Sequence, residues 1–405
     1  MKLPRKNEIE DRLVLDDIYA CSANAQLVLE VARDKMLEPQ PRKSPPVYTA
    51  AQVAQLCGLD KAKFNYLVAK PDSGLPQGTS AGAGRTRAFT LVEARECVAT
   101  LNETICARPG GSNGVVIACS NLKGGSTKTT SAVHLAQALS LKGRKVLLVD
   151  LDSQSSLTTL MDLMPESDVK DKDTILPFFD GEYPDLRYAV QKTYWDGVDI
   201  IPATFSIFNI EVTLPIAASE DKNFSFWSLL EEGLAPLRED YDVIIMDCPP
   251  SLSYLTFNAI YAADGVVMPI PPESLDFASS AMFWRLFSEL FKIADIRMKR
   301  SGEKMNKGFD FVKILLSKVN SQNTSTGIVR NWIMSAYGKM VMPVEIPLSS
   351  VTTSKSAEFG SVFDVSKYAG DRRTYMRIRE AYDKFADLID TEIVAAWARQ
   401  VGEEQ

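Results

Sequence analysis

The stretch Lys123-Gly124-Gly125-Ser126-Thr127-Lys128-Thr129-Thr130 decides the reading of this chain. It follows the apolar run Val115-Val116-Ile117-Ala118-Cys119 and passes directly into residues 129–141, where Val133, Ala136 and Leu139 recur at helical spacing. Strand, glycine-bearing loop and helix in that order set loop amides and the positive end of a helix around an anion. Lys128 is then placed to reach the β- and γ-phosphates of a nucleotide, and the Thr129 hydroxyl to bind Mg²⁺. Gly124, Gly125, Ser126, Thr127 and Thr130 complete the cradle. The pattern departs from G-x-x-x-x-G-K-[ST], because Leu122 and Thr127 occupy both glycine positions. What stands is K-G-G-x-x-K-T, with an added lysine at Lys123.

Two acidic elements support this reading. Asp150-Leu151-Asp152-Ser153-Gln154 closes the next apolar run, Lys145-Val146-Leu147-Leu148-Val149. Carboxylates at the carboxyl end of a strand beside a phosphate loop can hold metal-bound water and position an attacking water. Further on, Tyr241-Asp242-Val243-Ile244-Ile245-Met246-Asp247-Cys248-Pro249-Pro250-Ser251 has the form of a Walker-B strand. There Asp247 acts on the outer shell of the metal, and Pro249-Pro250 begins a γ-phosphate-sensing turn.

Gly265-Val266-Val267-Met268 and Phe311-Val312-Lys313-Ile314-Leu315-Leu316 repeat the texture of short, nearly continuous apolar runs separated by helical stretches. Strands covered on both faces look like this, so the expected fold is α/β, a mainly parallel sheet with helices on both faces, spanning 112–402.

The amino-terminal part is organised differently. Residues 7–36 carry Ile9, Leu13, Ile18, Leu27, Val28 and Val31 at roughly helical spacing, which predicts one long helix, or two broken near Ser22, within 1–38, either dimerising with a second copy or folding back on its own chain. A proline-rich linker follows at 38–46. Residues 47–108 have the rhythm of a winged helix-turn-helix. Thr49 caps one helix, Gly58 serves the turn, and Asp60 caps a second helix presenting Lys61, Lys63 and Asn65. A glycine-rich loop, 74–84, closes on Arg85 and Arg87, as a wing touching DNA would. Between Arg42 and Arg87 there are seven Lys/Arg against two acids, a local balance of +5 within a chain of net charge −7. A basic module in an acidic protein suggests a local anionic partner. A second basic group comprises Arg297, Lys299, Arg300, Lys304 and Lys307, then Lys367, Arg372, Arg373, Arg377 and Arg379.

At 405 residues, 45% hydrophobic and 24% charged, the composition is that of a soluble globular protein of two or three domains. Lacking a long apolar run and an apolar leader, the chain is expected in the cytoplasm, not in a membrane. Six cysteines without a C-x-x-C pair and a single histidine, His134, argue against a disulfide framework or a zinc site. Cys119 and Cys248 read as small buried hydrophobes, and His134 as a packing residue of the loop's helix.

Residues 121–130, 150–154 and 247–251 together resemble the ParA/MinD group of deviant Walker P-loop ATPases, and 269–277 resembles a further segment of that group. The amino-terminal helix plus helix-turn-helix is similar to the long ParA proteins of low-copy plasmids and the RepA partition proteins of repABC replicons. The resemblance implies an ATPase using ATP and Mg²⁺. It gives Lys123 the role of a signature lysine that reaches the other subunit's nucleotide in a homodimer, as an arginine finger would. By the same resemblance Lys128 and Asp152 are catalytic, Asp152 orienting the hydrolytic water. Thr129, Asp150, Asp152 and Asp247 surround Mg²⁺, the acids mainly through water, and Ser317 and Lys318 lie around the adenine. It further implies nonspecific nucleoid DNA binding, a centromere-binding ParB-type partner that stimulates hydrolysis, and autorepression through the helix-turn-helix. Alternatives are an ATP-regulated transcriptional repressor and a MinD-like membrane-positioning ATPase. The acidic tip at 402–405 does not suit a basic membrane-binding helix. Two departures stand out: Thr127 in place of glycine, a β-branched residue where positive φ would strain it, and Ser153 in place of proline. Slow hydrolysis fits both.

Overall fold

The computed structural model describes residues 14–36, 42–80, 87–102, 107–165, 167–221, 224–300, 305, 307–320, 322–349, 360–364 and 371–403. The chain divides into two compact units, Met1–Lys43 and Ser44–Gln405. In the first, helix α1 (Leu15–Met36) carries exposed Leu15, Ile18, Tyr19, Leu27 and Val28. The expectation for Ile9 and Leu13 lies outside the described residues.

The second unit begins with a small module: strand β1 (Tyr48–Thr49), helices α2 (Ala50–Leu56) and α3 (Lys61–Ala69), strands β2 (Thr79–Ser80) and β3 (Arg87–Phe89), and helix α4 (Leu91–Leu101). Its antiparallel sheet has the order β1-β3-β2. Local chemistry fixes the helix starts. Thr49 and Gln52 form a reciprocal capping box on α2, Asp60 accepts the Lys63 amide at 2.9 Å to cap α3, and Thr90 and Glu93 repeat the box on α4. Gly58 takes φ +66° in the turn between α2 and α3. Phe64 and Phe89, both fully buried, meet edge to face at 5.7 Å and tie α3 to the sheet. Residues 81–86, including Arg85, lie outside the described residues.

The rest of the unit is an eight-stranded sheet. Its members are β4 (Val115–Cys119), β5 (Val146–Asp150), β6 (Gln191–Lys192), β7 (Val198–Ile201), β8 (Val243–Asp247), β9 (Gly265–Ile270), β10 (Phe311–Val319) and β11 (Val341–Pro347). The order is β11-β10-β9-β4-β8-β5-β7-β6, parallel throughout except for β6, which pairs antiparallel to β7. Main helices are α5 (Lys128–Leu141), α6 (Ser156–Leu160), α7 (Ile210–Glu220), α8 (Tyr254–Ala262), α9 (Ser274–Arg300), α10 (Thr324–Tyr337) and α11 (Arg372–Glu403). Alternate residues of each strand feed opposite layers. Val115, Ile117 and Cys119 pack with α5 and α11 through Leu135, Leu139, Phe385 and Ile389, whereas Val116 and Ala118 pack with α8 and α9 through Phe257, Ile260 and Phe283. The expected mainly parallel sheet with helices on both faces is therefore observed.

The small module is docked on this sheet domain through α4. Arg95 pairs with Asp196 and donates to the carbonyls of Ser140 at 2.9 Å and Arg144 at 3.4 Å, at the carboxyl end of α5. Arg108 donates to the carbonyls of Arg238, Glu239 and Tyr241 at 2.8, 2.6 and 2.7 Å. Gly197 lies close to Arg95, and an added Cβ would meet the guanidinium end of that side chain.

Candidate nucleotide site

Parallel pairing brings the acidic strand ends to the phosphate loop. Asp247 is in register with Cys119 on one side and Asp150 on the other, so β4, β8 and β5 end together. A crevice beyond the carboxyl ends of parallel strands is where this class of sheet binds ligands. The loop leaves β4 and enters α5 with Thr127 at φ +75°, ψ +21°, the left-handed conformation expected to strain a β-branched residue. Gly125 also takes positive φ, +74°.

Lys128 is buried and donates from Nζ to the Lys123 carbonyl at 3.3 Å. Burial lowers its pKa, opposed chiefly by the Asp247 charge. Asp247 is fully buried, and neither carboxylate oxygen makes a well-formed hydrogen bond within the chain. Burial, then the Asp150 charge, holds its pKa well above the usual carboxylate range; the nearby Thr129 hydroxyl and Lys128 act in the opposite direction. The buried Ser126 hydroxyl is likewise without a partner. Orphaned buried oxygens are rare, and a pair of them facing a threonine hydroxyl and an ammonium suits a hydrated cation on a bound phosphate. Among the described residues no three His, Cys, Asp or Glu side chains come together as a ready-made metal site. The residues thus fit a Mg²⁺ that Thr129 would help to hold, with Asp247 near enough to balance its charge.

Asp150 is placed differently. One of its oxygens accepts the Thr158 amide at 2.9 Å and hydroxyl at 2.7 Å, and the other accepts the Asp152 amide at 3.1 Å. Both oxygens are thereby engaged in shaping the turn from β5 into α6, and burial pushes the carboxyl pKa up to about 7. Asp152 is half-exposed, accepts the Gln154 amide at 3.0 Å, and faces a cavity of about 260 Å³ shared with Gln154, Phe208, Pro249 and Ser251. A water-sized reactant has room there.

Lys123 forms an ion pair with Asp276, a buried residue in the first turn of α9. Nothing in the spacing announced that partner, 153 residues away. Ser317 and Lys318, at the end of β10, contact the loop itself: Ser317 Oγ donates to the Ser126 carbonyl at 3.2 Å, and Lys318 Nζ to the Gly125 carbonyl at 2.7 Å. Lys318 also borders a cavity of about 360 Å³ with Pro272, Ser274, Asn320 and Asn323.

His134 stacks on Tyr382 at 3.8 Å and bridges the Thr130 carbonyl (2.6 Å) and the Val362 amide (3.1 Å), a packing residue of α5. Cys119 and Cys248 are fully buried, and burial raises both thiol pKa values.

In the small module Lys61 and Lys63 are exposed, while Asn65 and Arg87 are half-buried. Because α3 buries Phe64 and Val68, the direction opposite its core is that of Lys63, Tyr66 and Lys70, all exposed. Tyr66 was not singled out by sequence; its position directly across the helix from the buried pair was the available signal. Four residues of the second basic group are engaged within the chain. Arg297 lies over Phe226, Lys299 pairs with Asp295, Lys307 packs on Tyr261 and Phe309, and Arg379 pairs with Asp383. Arg372, Arg373 and Arg377 are exposed; Lys304, Lys367 and the Arg300 side chain lie outside the described residues. No helix among the described residues is long and apolar enough to cross a membrane.

Residues 114–299 match the family model described as an AAA domain. A putative replication protein A of Rhizobium rhizogenes is 30% identical over 296 residues, 72% of this chain and 72% of that protein. The chromosome partitioning protein ParA of Caulobacter vibrioides is 28% identical over 67% of this chain and 95% of its own. Among solved structures, cobyrinic acid a,c-diamide synthase from Mycobacterium smegmatis with bound ADP and magnesium aligns at TM-score 0.50 and 27% identity, over 68% of this chain and 94% of that one. A partition protein aligns at TM-score 0.60 over 93% of this chain and 98% of its own; at 16% identity that shows the fold alone. With the phosphate loop, Asp152 and Asp247 at adjoining strand ends, these matches establish that the chain belongs to the ParA-type partition ATPase family.

Proposed function

We propose that this protein is a Mg-ATP-driven partition switch, working as a homodimer that holds nucleoid DNA nonspecifically while ATP is bound. A ParB-type centromere-binding partner stimulates hydrolysis, and the helix-turn-helix binds the protein's own operator. The observation that carries this reading is the fully buried Asp247, without a well-formed hydrogen bond, between Thr129 and Asp150, a costly arrangement in a bare protein. Such a carboxylate makes sense when Mg²⁺ on a triphosphate compensates its charge. Bound Mg²⁺ supplies neutralisation of the developing phosphoryl charge. Lys128 holds the phosphates, the loop amides orient them, and Asp152 faces the cavity in which a water would approach. In this reading the exposed apolar side chains of α1 offer a helix to a second copy, and the spans 1–38, 47–108 and 112–402 serve dimerisation, operator binding and ATP hydrolysis in turn. A bacterial cytoplasmic, nucleoid-associated location follows from this reading.

The test compares binding to random DNA and to the upstream region of the protein's own gene, without nucleotide, with ADP and with ATP, across a salt series. Random-DNA binding is expected only with ATP and is expected to vanish in Lys128→Ala. Lys63→Ala is expected to lower the operator salt slope by about one. Binding to random DNA that ignores both ATP and Lys128 would overturn the partition switch.

A further inference from the structure

The phosphate loop contains a residue that its backbone disfavours. Thr127 sits at φ +75° with no side-chain cap onto α5, and left-handed backbone is expensive for a β-branched side chain. Something outside the loop must hold it there. The contacts on the carbonyls just before Thr127 come from the end of β10: the buried Ser317 hydroxyl on the Ser126 carbonyl, and the Lys318 ammonium on the Gly125 carbonyl. Lys318 itself takes φ +50°, a second left-handed non-glycine residue, on the side chain that reaches the loop.

The geometry gives these bonds a consequence for phosphate. In a planar trans peptide, the carbonyl of one residue and the N–H of the next point in opposite directions. Pinning the Gly125 and Ser126 carbonyls from one side therefore turns the Ser126 and Thr127 N–H groups the other way, toward the space where an anion is cradled. We propose that Ser317 and Lys318 are positioning residues that brace the phosphate loop from outside and hold Thr127 in its left-handed conformation. This is distinct from the adenine contact that family resemblance implies for them, and it rests on the reading of the site as an ATP site.

The two roles separate by ligand and by rescue. Affinities for ATP, GTP and adenosine are measured by calorimetry on the full-length chain, for wild type, Lys318→Met, Ser317→Ala, Thr127→Gly and Thr127→Gly/Lys318→Met. A brace predicts that Lys318→Met weakens ATP and GTP to a similar extent, about tenfold, and that Thr127→Gly restores most of it. Ser317→Ala follows the same pattern with a smaller loss. Weakening confined to ATP and adenosine, or a loss that Thr127→Gly leaves unrepaired, would overturn the brace in favour of base recognition. Wild type without measurable ATP affinity would instead defeat the nucleotide reading itself.

Discussion

The ammonium of Lys123, the added lysine of the phosphate loop, is held by the buried carboxylate of Asp276 on α9 of its own chain. A lysine that serves a second subunit's nucleotide must first leave this partner. The side chains are unequally placed, Lys123 at 34% exposure and Asp276 at 2%. Losing the lysine strands a buried carboxylate, whereas losing the acid leaves a lysine that water can reach. Lys123→Ala is therefore expected to lower stability by about 2 kcal/mol and Asp276→Asn by less than about 1 kcal/mol. Urea unfolding of the nucleotide-free protein checks the order. Asp276→Asn is also expected to raise the dimer fraction with ATP, read by light scattering.

Asp247 trades stability for chemistry. Its buried oxygens make no well-formed hydrogen bond within the chain, and burial with the Asp150 charge disfavours ionisation. Asp247→Asn is expected to stabilise the nucleotide-free protein by about 1–2 kcal/mol while abolishing Mg²⁺-dependent ATP hydrolysis. A thermal scan and a phosphate-release assay on the same preparation test both parts. An asparagine variant less stable than wild type would show that the ionised carboxylate is compensated within the chain.

The Asp150 carboxyl gives stability a definite pH dependence. Its pKa rises from 3.8 to about 7 on folding, so between those values the folded state binds the extra proton. This contribution is present at low pH, falls as pH rises toward 7, and is flat above. In Asp150→Asn the slope of stability against pH between about 4.5 and 6.5 should lose up to about 1.4 kcal/mol per pH unit relative to wild type. Urea midpoints at half-unit steps provide the measurement.

The α4–α5 contact joins the small module to the far end of the helix that starts at the phosphate loop. At Gly197 the backbone has φ +79°, and a Cβ would collide with the Arg95 guanidinium. Gly197→Ala is expected to cost about 1–3 kcal/mol, chiefly from the positive φ, and to push the Arg95 guanidinium aside. Arg95→Ala removes the same link without the collision. Both variants are expected to retain ATP binding yet lose the nucleotide dependence of operator binding. A footprint that still responds to ATP in Arg95→Ala would place the coupling elsewhere.

Much of this molecule is written in short-range patterns. The loop 123–130, the acids at strand ends, the apolar strands β4, β5, β8, β9 and β10, and the caps Thr49 and Asp60 are each decided by residues within a few positions, so the sequence alone determines them. Other strands escape that reading. Val341-Met342-Pro343-Val344-Glu345-Ile346-Pro347 contains two prolines, which argues against a central strand; as β11 it is tolerated at the sheet edge, where one side needs no ladder. Asp199 interrupts β7, but Lys192 and the Tyr241 hydroxyl satisfy its carboxylate. What tertiary structure alone decided is the set of partners around the two-lysine loop. Asp276 lies 153 residues from Lys123, and Ser317 and Lys318 lie 191 and 193 residues from their loop carbonyls. Such contacts depend on β9 lying beside β4 and β10 beside β9 in the sheet, an order that parallel crossovers set and no local periodicity encodes.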